Sequence, residues 1–303
     1  PACALSIGNF DGVHRGHRAL LKQLVEGAKE RGLVSCVMTF EPHPKEFFSP
    51  EQAPPRIMNL RDKLAALSNI GIDRVVVEHF NAAFARLSPE EFVSEIIVKR
   101  LNAKWILIGD DFGYGAKRAG NFASLKAAGQ QYGFEVSSIQ TILEDGERIS
   151  SSALRAALAN GDMKQAEKLL GRPYGISGHV IHGQKLGRTL GFPTLNLAVA
   201  NHLHHRKPAT TGIFTAQVLG LSEKPLPAVA SLGVRPTVED QGRVLLETHI
   251  FDYQQDVYGK IITVELLEKI RDEAKYDDLD ALTNAIAADA AHARNYFQKK
   301  AYV

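Results

Sequence analysis

The chain has 303 residues, 45% of them hydrophobic and 23% charged, with a formal net charge of +2 at pH 7. That length suits two domains of ordinary size, each with its own core. So even a charge balance excludes nucleic acid and anionic membranes as main partners, and no run approaches the ~20 apolar residues that span a bilayer. Small phosphorylated ligands, held by local anion sites, fit better. The N-terminus lacks a basic start followed by an apolar signal region, and the first strand is expected a few residues after Pro1, which leaves open what precedes it. Cys3 and Cys36 lie in apolar strand-like runs where a free thiol acts as a small core residue, so no structural disulfide and a reducing cytoplasm are expected.

Residues 4–7 read as a buried strand that ends in Gly8-Asn9-Phe10-Asp11-Gly12-Val13-His14-Arg15-Gly16-His17. Leu20, Leu21, Leu24 and Ala28 then give a helix an apolar face. Gly8 and Gly12 let the backbone approach an anion, which would sit on the helix N-terminus. His14 and His17 are three apart, so within one helical turn their rings share a face and can donate to one phosphoryl group. A surface loop with two histidines is the plainer reading of the same residues.

From residue 4 to about 170, apolar runs at 4–7, 33–40, 74–77, 105–108 and 134–139 alternate with amphipathic helical ones. This predicts an α/β fold, a doubly wound parallel sheet with helices on both faces. Ser88-Pro89-Glu90-Glu91 supplies an N-cap, a first-turn proline and a reciprocal capping glutamate ahead of Phe92, Ile96 and Ile97. Ligands in such folds collect beyond the carboxyl ends of the strands. Those ends carry Gly8 to Asp11, Glu41-Pro42-His43-Pro44, and Gly109-Asp110-Asp111-Phe112. Phe47, Phe48, Phe112 and Tyr114 bring flat rings there, which suit a planar ligand, although such rings more often belong to the core. Ile149-Ser150-Ser151-Ser152 precedes a short helix with Arg155 one turn in, which makes either a triphosphate clamp or an ordinary serine cap.

The pattern changes at Gly171-Arg172-Pro173, which divides the chain into domains of residues 1–172 and 173–303. Runs at 176–181, 194–199, 213–219, 228–232, 244–251 and 261–267 predict a six-stranded β-barrel. Leu279, Leu282, Ile286, Ala290, Ala293, Tyr296 and Phe297 have helical spacing and should pack a C-terminal helix on that barrel. Gly183, Lys185, Gly187 and Arg188 form a glycine-rich basic loop ahead of Thr194 and Asn196, which share a strand face. Loop N–H groups could hold phosphates while the Thr and Asn oxygens hold Mg2+; composition equally allows a Gly-rich hairpin. Glu247 interrupts an apolar strand and by itself reads as a paired or edge-facing carboxylate. His202, His204 and His205 have no carboxylate or Cys at ligand spacing and read as a polar loop, not a metal site. A Gly-x-x-x-x-Gly-Lys-Ser/Thr phosphate loop, a Gly-x-Ser-x-Gly elbow and a Cys-x-x-Cys pair are all absent from the sequence.

The segment His14 to His17 resembles the His-x-Gly-His signature of nucleotidylyltransferases. Residues 149–155 resemble the Ile-Ser-Ser-Thr-x-x-Arg motif that accompanies it in FAD synthetases, with Ser152 in place of Thr. Residues 109–112 look like the same family's Gly-Asp-Asp-Phe or Gly-Glu-Asn-Phe loop, with Tyr114 following where Phe is usual. Gly187 to Asn196 resembles the riboflavin kinase signature, with Leu195 where Ala is usual, and Glu247 with His249 resembles that family's Glu-x-His strand. Gly233-Val234-Arg235-Pro236-Thr237 and residues 252–259 also look like riboflavin kinase segments. In order and spacing, nearly the whole chain resembles the bacterial bifunctional riboflavin kinase/FMN adenylyltransferases.

That resemblance implies an N-terminal Rossmann-like nucleotidylyltransferase domain that transfers AMP from ATP to FMN, giving FAD and pyrophosphate. His14, His17 and Arg155 would stabilise charge on the α-phosphate, with Gly8, Asn9, Phe10, Asp11, Gly16, Asp111, Phe112, Ser151 and Ser152 around the nucleotide. It also implies a C-terminal riboflavin kinase barrel that makes FMN from riboflavin and Mg·ATP. There Glu247 would take the hydroxyl proton, Gly183, Lys185, Gly187 and Arg188 would hold ATP, and Thr194 and Asn196 would hold both ATP and Mg2+. A monofunctional enzyme with one decayed site, or a flavin and ATP sensor without turnover, would lack groups that this sequence retains. Nothing in the sequence fixes whether copies assemble.

Overall fold

The computed structural model describes residues 1–109, 111–139, 143–144, 147–182, 191–199, 208–234 and 244–301. They divide into two compact units, Pro1–Pro54 with Lys63–Ser150, and Pro55–Asp62 with Ser151–Val303.

In the first unit the apolar runs become β1 (Cys3–Ile7), β2 (Val34–Glu41), β3 (Arg74–His79), β4 (Ala103–Gly109) and β5 (Glu135–Ile139). All pair in parallel, in the order β3-β2-β1-β4-β5. The central strands β1, β2 and β4 are covered on both faces and read as nearly continuous apolar runs, whereas the edge strands β3 and β5 are only partly buried. Between them lie α1 (Arg15–Glu30), α2 (Pro44–Phe48), α3 (Leu60–Ile70), α4 (Ala82–Ala85), α5 (Pro89–Glu91) and α6 (Phe122–Tyr132). A short antiparallel pair, β6 (Leu143–Glu144) and β7 (Glu147–Arg148), follows β5. Leu5, Met38, Ile97, Ile106, Ile108 and Leu125 fill the core. Because β1 has β2 on one side and β4 on the other, the winding reverses there, and the carboxyl end of β1 opens on the crevice where such sheets bind ligands.

The capping box at Ser88 forms as its residues predict, with Ser88 Oγ accepting from the Glu91 N–H and the Glu91 carboxylate accepting from the Ser88 N–H. The helix beyond it is not regular α. Residues Phe92–Arg100 are π-helical, and the Leu101 N–H donates to the Ile96 carbonyl, five residues back. The wider turn keeps the adjacent pairs Phe92–Val93 and Ile96–Ile97 all buried.

The second unit contains α7 (Ser151–Ala159), α8 (Met163–Leu170), a closed barrel and α9 (Leu279–Ala301). The barrel strands are β8 (Tyr174–Ile181), β9 (Leu195–Ala198), β10 (Gly212–Leu219), β11 (Leu226–Val234), β12 (Val244–Ile250) and β13 (Ile261–Arg271). They close in the order β10-β11-β12-β9-β8-β13, every pair antiparallel. Along β12, Val244, Leu246, Thr248 and Ile250 are buried and Leu245, Glu247 and His249 are half-buried, the period of two that a barrel wall requires. The terminal helix lies against β10 and β11, with Ala290 and Ala293 packed on Val229 and Phe251. Its apolar stripe starts later than the sequence spacing suggests, since Leu279 is 59% exposed. The segment Pro55–Asp62 is tied to β8: Asn59 Nδ2 donates to the Ser177 carbonyl, and the Asp62 carboxylate accepts from both the Ser177 N–H and its hydroxyl. Among the described residues no helix is long and apolar enough to cross a membrane.

Candidate active sites

In the first unit, β1 runs into a loop with three backbone positions of positive φ, Phe10 (47°), Gly12 (87°) and Val13 (41°). Two non-glycine residues in that region are unusual, and such conformations collect at functional sites. The loop delivers His14 to the N-cap of α1, where its Nδ1 accepts the His17 N–H at 3.2 Å. An Nδ1 that accepts leaves Nε2 as the protonated nitrogen of the neutral ring. His17 lies one turn in, and the two rings stack with centroids 3.7 Å apart and planes inclined at 14°. The sequence spacing therefore does put both imidazoles together, but with His14 as the cap and not a helical residue.

Gly16 fits under the pair: a Cβ there would lie 3.2 Å from the His14 ring. Phe10 sets its edge against His17 at 5.3 Å and lies within 3.2 Å of where a Cβ on Gly8 would stand. Burial pushes the His17 pKa well below its ordinary value, helped by the nearby charges of His14 and Lys63. His17 Nδ1, Asn9 Oδ1 and Ser6 Oγ are closed off from solvent and make no hydrogen bond with the protein. Asp11 is buried in the same loop.

Lys63, one turn into α3, is a residue the sequence reading missed. It is 5% exposed, and its Nζ donates to Thr39 Oγ1 at 3.4 Å. Thr39 in turn donates to the Asn9 carbonyl at 3.2 Å. A lysine in an amphipathic helix carries no local mark of burial; only the packing of α3 reveals it.

Asp111 is exposed, and its carbonyl accepts from Arg118. Phe112 stacks on Tyr114 at 5.8 Å and packs on the core of the first unit. Phe47, Phe48 and Phe80 form a mutual edge-to-face cluster in which Phe48 is 63% exposed. Asp110 lies outside the described residues.

Ser151 and Ser152 open α7 in the second unit, and Arg155 Nε donates to the Pro55 carbonyl at 2.9 Å. On the barrel, Asn196, Glu247 and Ser231 stand opposite one another on β9, β12 and β11, which turns their side chains to one face. Asn196 is buried with Oδ1 lacking a protein partner, while Thr194, just before β9, is half-buried. His249 Nδ1 hydrogen bonds the Pro193 carbonyl at 2.8 Å, and its ring meets Phe192 and Phe251 edge to face. That contact ties β12 to the residue before Thr194 and was not foreseen from the motif.

Glu273 is a carboxylate that the sequence reading did not foresee. It covers Gly233 and accepts from Ser231 Oγ at 3.5 Å, and its pKa is raised by partial burial and by Glu247 nearby. Gly183, Lys185, Gly187, Arg188, the His202 to His205 cluster and Arg235 to Thr237 lie outside the described residues. Among the described residues no cluster of three His, Cys, Asp or Glu could hold a metal ion. An oxygen site built from Thr194 and Asn196 is of a different kind.

Two family models match the chain: FAD synthetase over residues 1–153 and riboflavin kinase over residues 170–297. The chain is 48% identical over 295 residues to the bifunctional riboflavin kinase/FMN adenylyltransferase of Escherichia coli strain K12, covering 97% of this chain and 93% of that one. It is 44% identical to the protein of the same description from Haemophilus influenzae, with 97% and 94% covered. Its fold is similar to that of a solved structure described as a macrolide-efflux protein from Streptococcus pneumoniae, with a TM-score of 0.79, 32% identity, and 97% and 95% of the two chains covered.

Proposed function

The chain belongs to the bacterial bifunctional riboflavin kinase/FMN adenylyltransferase family, and from that premise we propose that each of its two motif sets performs one of two successive reactions. Riboflavin and ATP give FMN and ADP; FMN and a second ATP give FAD and pyrophosphate. We draw the functional boundary at residues 172 and 173, although α7 and α8 pack in the compact unit that holds the barrel. The stacked His14 and His17 at the N-terminus of α1 are the observation that carries the adenylylation reading.

In that step the FMN phosphate attacks the α-phosphate of ATP and pyrophosphate leaves, so no protein base is needed. Catalysis is then positioning plus stabilisation of charge on the transferring phosphoryl and the departing oxygens. His14, His17 and the N–H groups of α1 supply hydrogen bonds and the positive end of the helix dipole, and Gly8, Asn9, Phe10, Asp11 and Gly16 shape the loop. Arg155, Ser151 and Ser152 are assigned to the nucleotide phosphates, and Asp111 and Phe112 to the nucleotide itself, by their motifs.

In the kinase step Glu247 accepts the proton of the ribityl hydroxyl as that oxygen attacks the γ-phosphate. Asn196 stands directly across from it on β9. The neutral oxygens of Thr194 and Asn196 suit Mg2+, a hard cation that prefers oxygen and keeps phosphates and waters as its other ligands; Asn196 Oδ1, buried without a protein partner, supports this. When bound, Mg2+ would neutralise charge on the phosphates of ATP. Gly183, Lys185, Gly187 and Arg188 are assigned to those phosphates by motif. We place the protein in the cytoplasm, a reading supported by two buried free thiols.

The test is chromatography of flavins after incubation with riboflavin, ATP and Mg2+, with a second reaction started from FMN. FAD from both, with FMN as an intermediate in the first, is expected. No conversion in either would leave a binding protein.

A further inference from the structure

Lys63 takes no part in the mechanism above, yet it is an ammonium buried at the carboxyl end of β2, beside the loop that forms the adenylylation site. An ammonium costs folding free energy to bury. It is buried here where the fold gathers two imidazoles and a helix N-terminus, which are groups suited to an anion. Through Thr39 Oγ1, at 3.4 Å from Lys63 Nζ and 3.2 Å from the Asn9 carbonyl, Lys63 reaches the β1–α1 loop by a single intervening side chain. Its charge is also felt at His17, whose ring is held well below its ordinary pKa. At neutral pH His17 therefore offers a hydrogen bond but little charge, whereas a lysine offers both. Asn9 Oδ1, Ser6 Oγ and His17 Nδ1, buried and without protein partners, mark the same place as one built around polar groups.

We propose that Lys63 is a third phosphate-binding residue of the adenylylation site, its Nζ donating to the polyphosphate of ATP alongside His14 and His17. This rests on the adenylylation reading above. The long, flexible stem lets the ammonium turn from Thr39 to a phosphoryl oxygen without movement of α3.

The test compares Lys63→Met and Lys63→Arg with the unaltered chain in four measurements: FMN formation, FAD formation from FMN, affinity for inorganic pyrophosphate, and thermal unfolding. For Lys63→Met the inference expects a single cooperative unfolding transition, which shows that the variant is folded. FMN formation stays unchanged. The KM for ATP in FAD formation rises about 10-fold and kcat falls about 100-fold, the scale of losing one charge-stabilising donor. Pyrophosphate affinity falls about 10-fold, and Lys63→Arg recovers part of each loss.

FAD formation and pyrophosphate affinity within about 2-fold of the unaltered chain would overturn the inference, as would a higher KM for FMN with that for ATP unmoved. Equal loss of both activities together with lower thermal stability would show Lys63 to be structural only, and would overturn it too. Should the unaltered chain make no FAD, the adenylylation reading fails, and the pyrophosphate measurement still decides whether Lys63 binds phosphate.

Discussion

His14 and His17 stack at 3.7 Å, a separation at which two imidazolium charges would repel strongly, so the folded chain resists protonating both. The consequence for stability has a definite sign. The folded pKa of His17 lies below its unfolded value of about 6.5, so below that pH the unfolded chain binds more protons. The contribution is fully present above about pH 6.5 and is lost as pH falls toward the folded value. His17→Asn should therefore lose less stability than the unaltered chain on acidification. Urea unfolding from pH 8 to pH 5 should show the gap between them narrowing, and a constant gap would refute the sign.

Gly16→Ala tests the geometry of the same pair. Its Cβ would lie 3.2 Å from the His14 ring, which forces a shift of a few tenths of an ångström in a group that must be positioned closely. FAD formation should fall about 10-fold with FMN formation unaffected, as initial rates of the two steps would show. At this scale the sequence was legible where spacing implied geometry: histidines three apart do meet. It was not legible for Lys63, Glu273 or the His249 bond to Pro193, because each depends on which strand or helix lies alongside.

Apolar runs marked every strand of the parallel sheet and of the barrel but not the short β6–β7 pair, since a strand at the centre of a covered sheet, or one alternating in a barrel wall, writes its environment into its composition. The π-helical turns of Phe92–Arg100 left no such trace: the spacing of Phe92, Ile96 and Ile97 reads as an α-helix, and the Ser88 box caps either kind. Nor did any local pattern show that Pro55–Asp62 joins β8, because the bonds of Asp62 and Asn59 to Ser177 span more than 100 residues of chain.

The terminal helix was legible by its spacing, but its anchor was not. Arg271 at the end of β13 grips Asp289 of α9 through two hydrogen bonds, 2.9 Å from Nε and 2.6 Å from Nη2, with Asp289 buried. The pair raises the Arg271 pKa chiefly through that hydrogen bonding. Breaking a largely buried pair strands the remaining charge, so Asp289→Ala should cost about 2 kcal/mol of stability, less than a fully buried pair because Arg271 is partly exposed. Chemical unfolding monitored by FMN formation would measure it. A cost below about 0.5 kcal/mol would show that apolar packing alone holds α9.

At the scale of the whole chain, one polypeptide carries two chemistries that share ATP, and we assign them to two separate sets of residues. The phosphate of FMN is the product of one step and the nucleophile of the next, so loss of either site has a distinct signature in the flavins formed. The measurement that tests this most directly is flavin chromatography of His17→Ala and Glu247→Ala, each supplied with riboflavin, ATP and Mg2+, each supplied with FMN and ATP, and then the two mixed. His17→Ala should stop at FMN. Glu247→Ala should make nothing from riboflavin yet convert added FMN to FAD, and the mixture should carry riboflavin through to FAD. If either folded variant loses both conversions, or the mixture fails to make FAD, two independent sites on one chain is the wrong account.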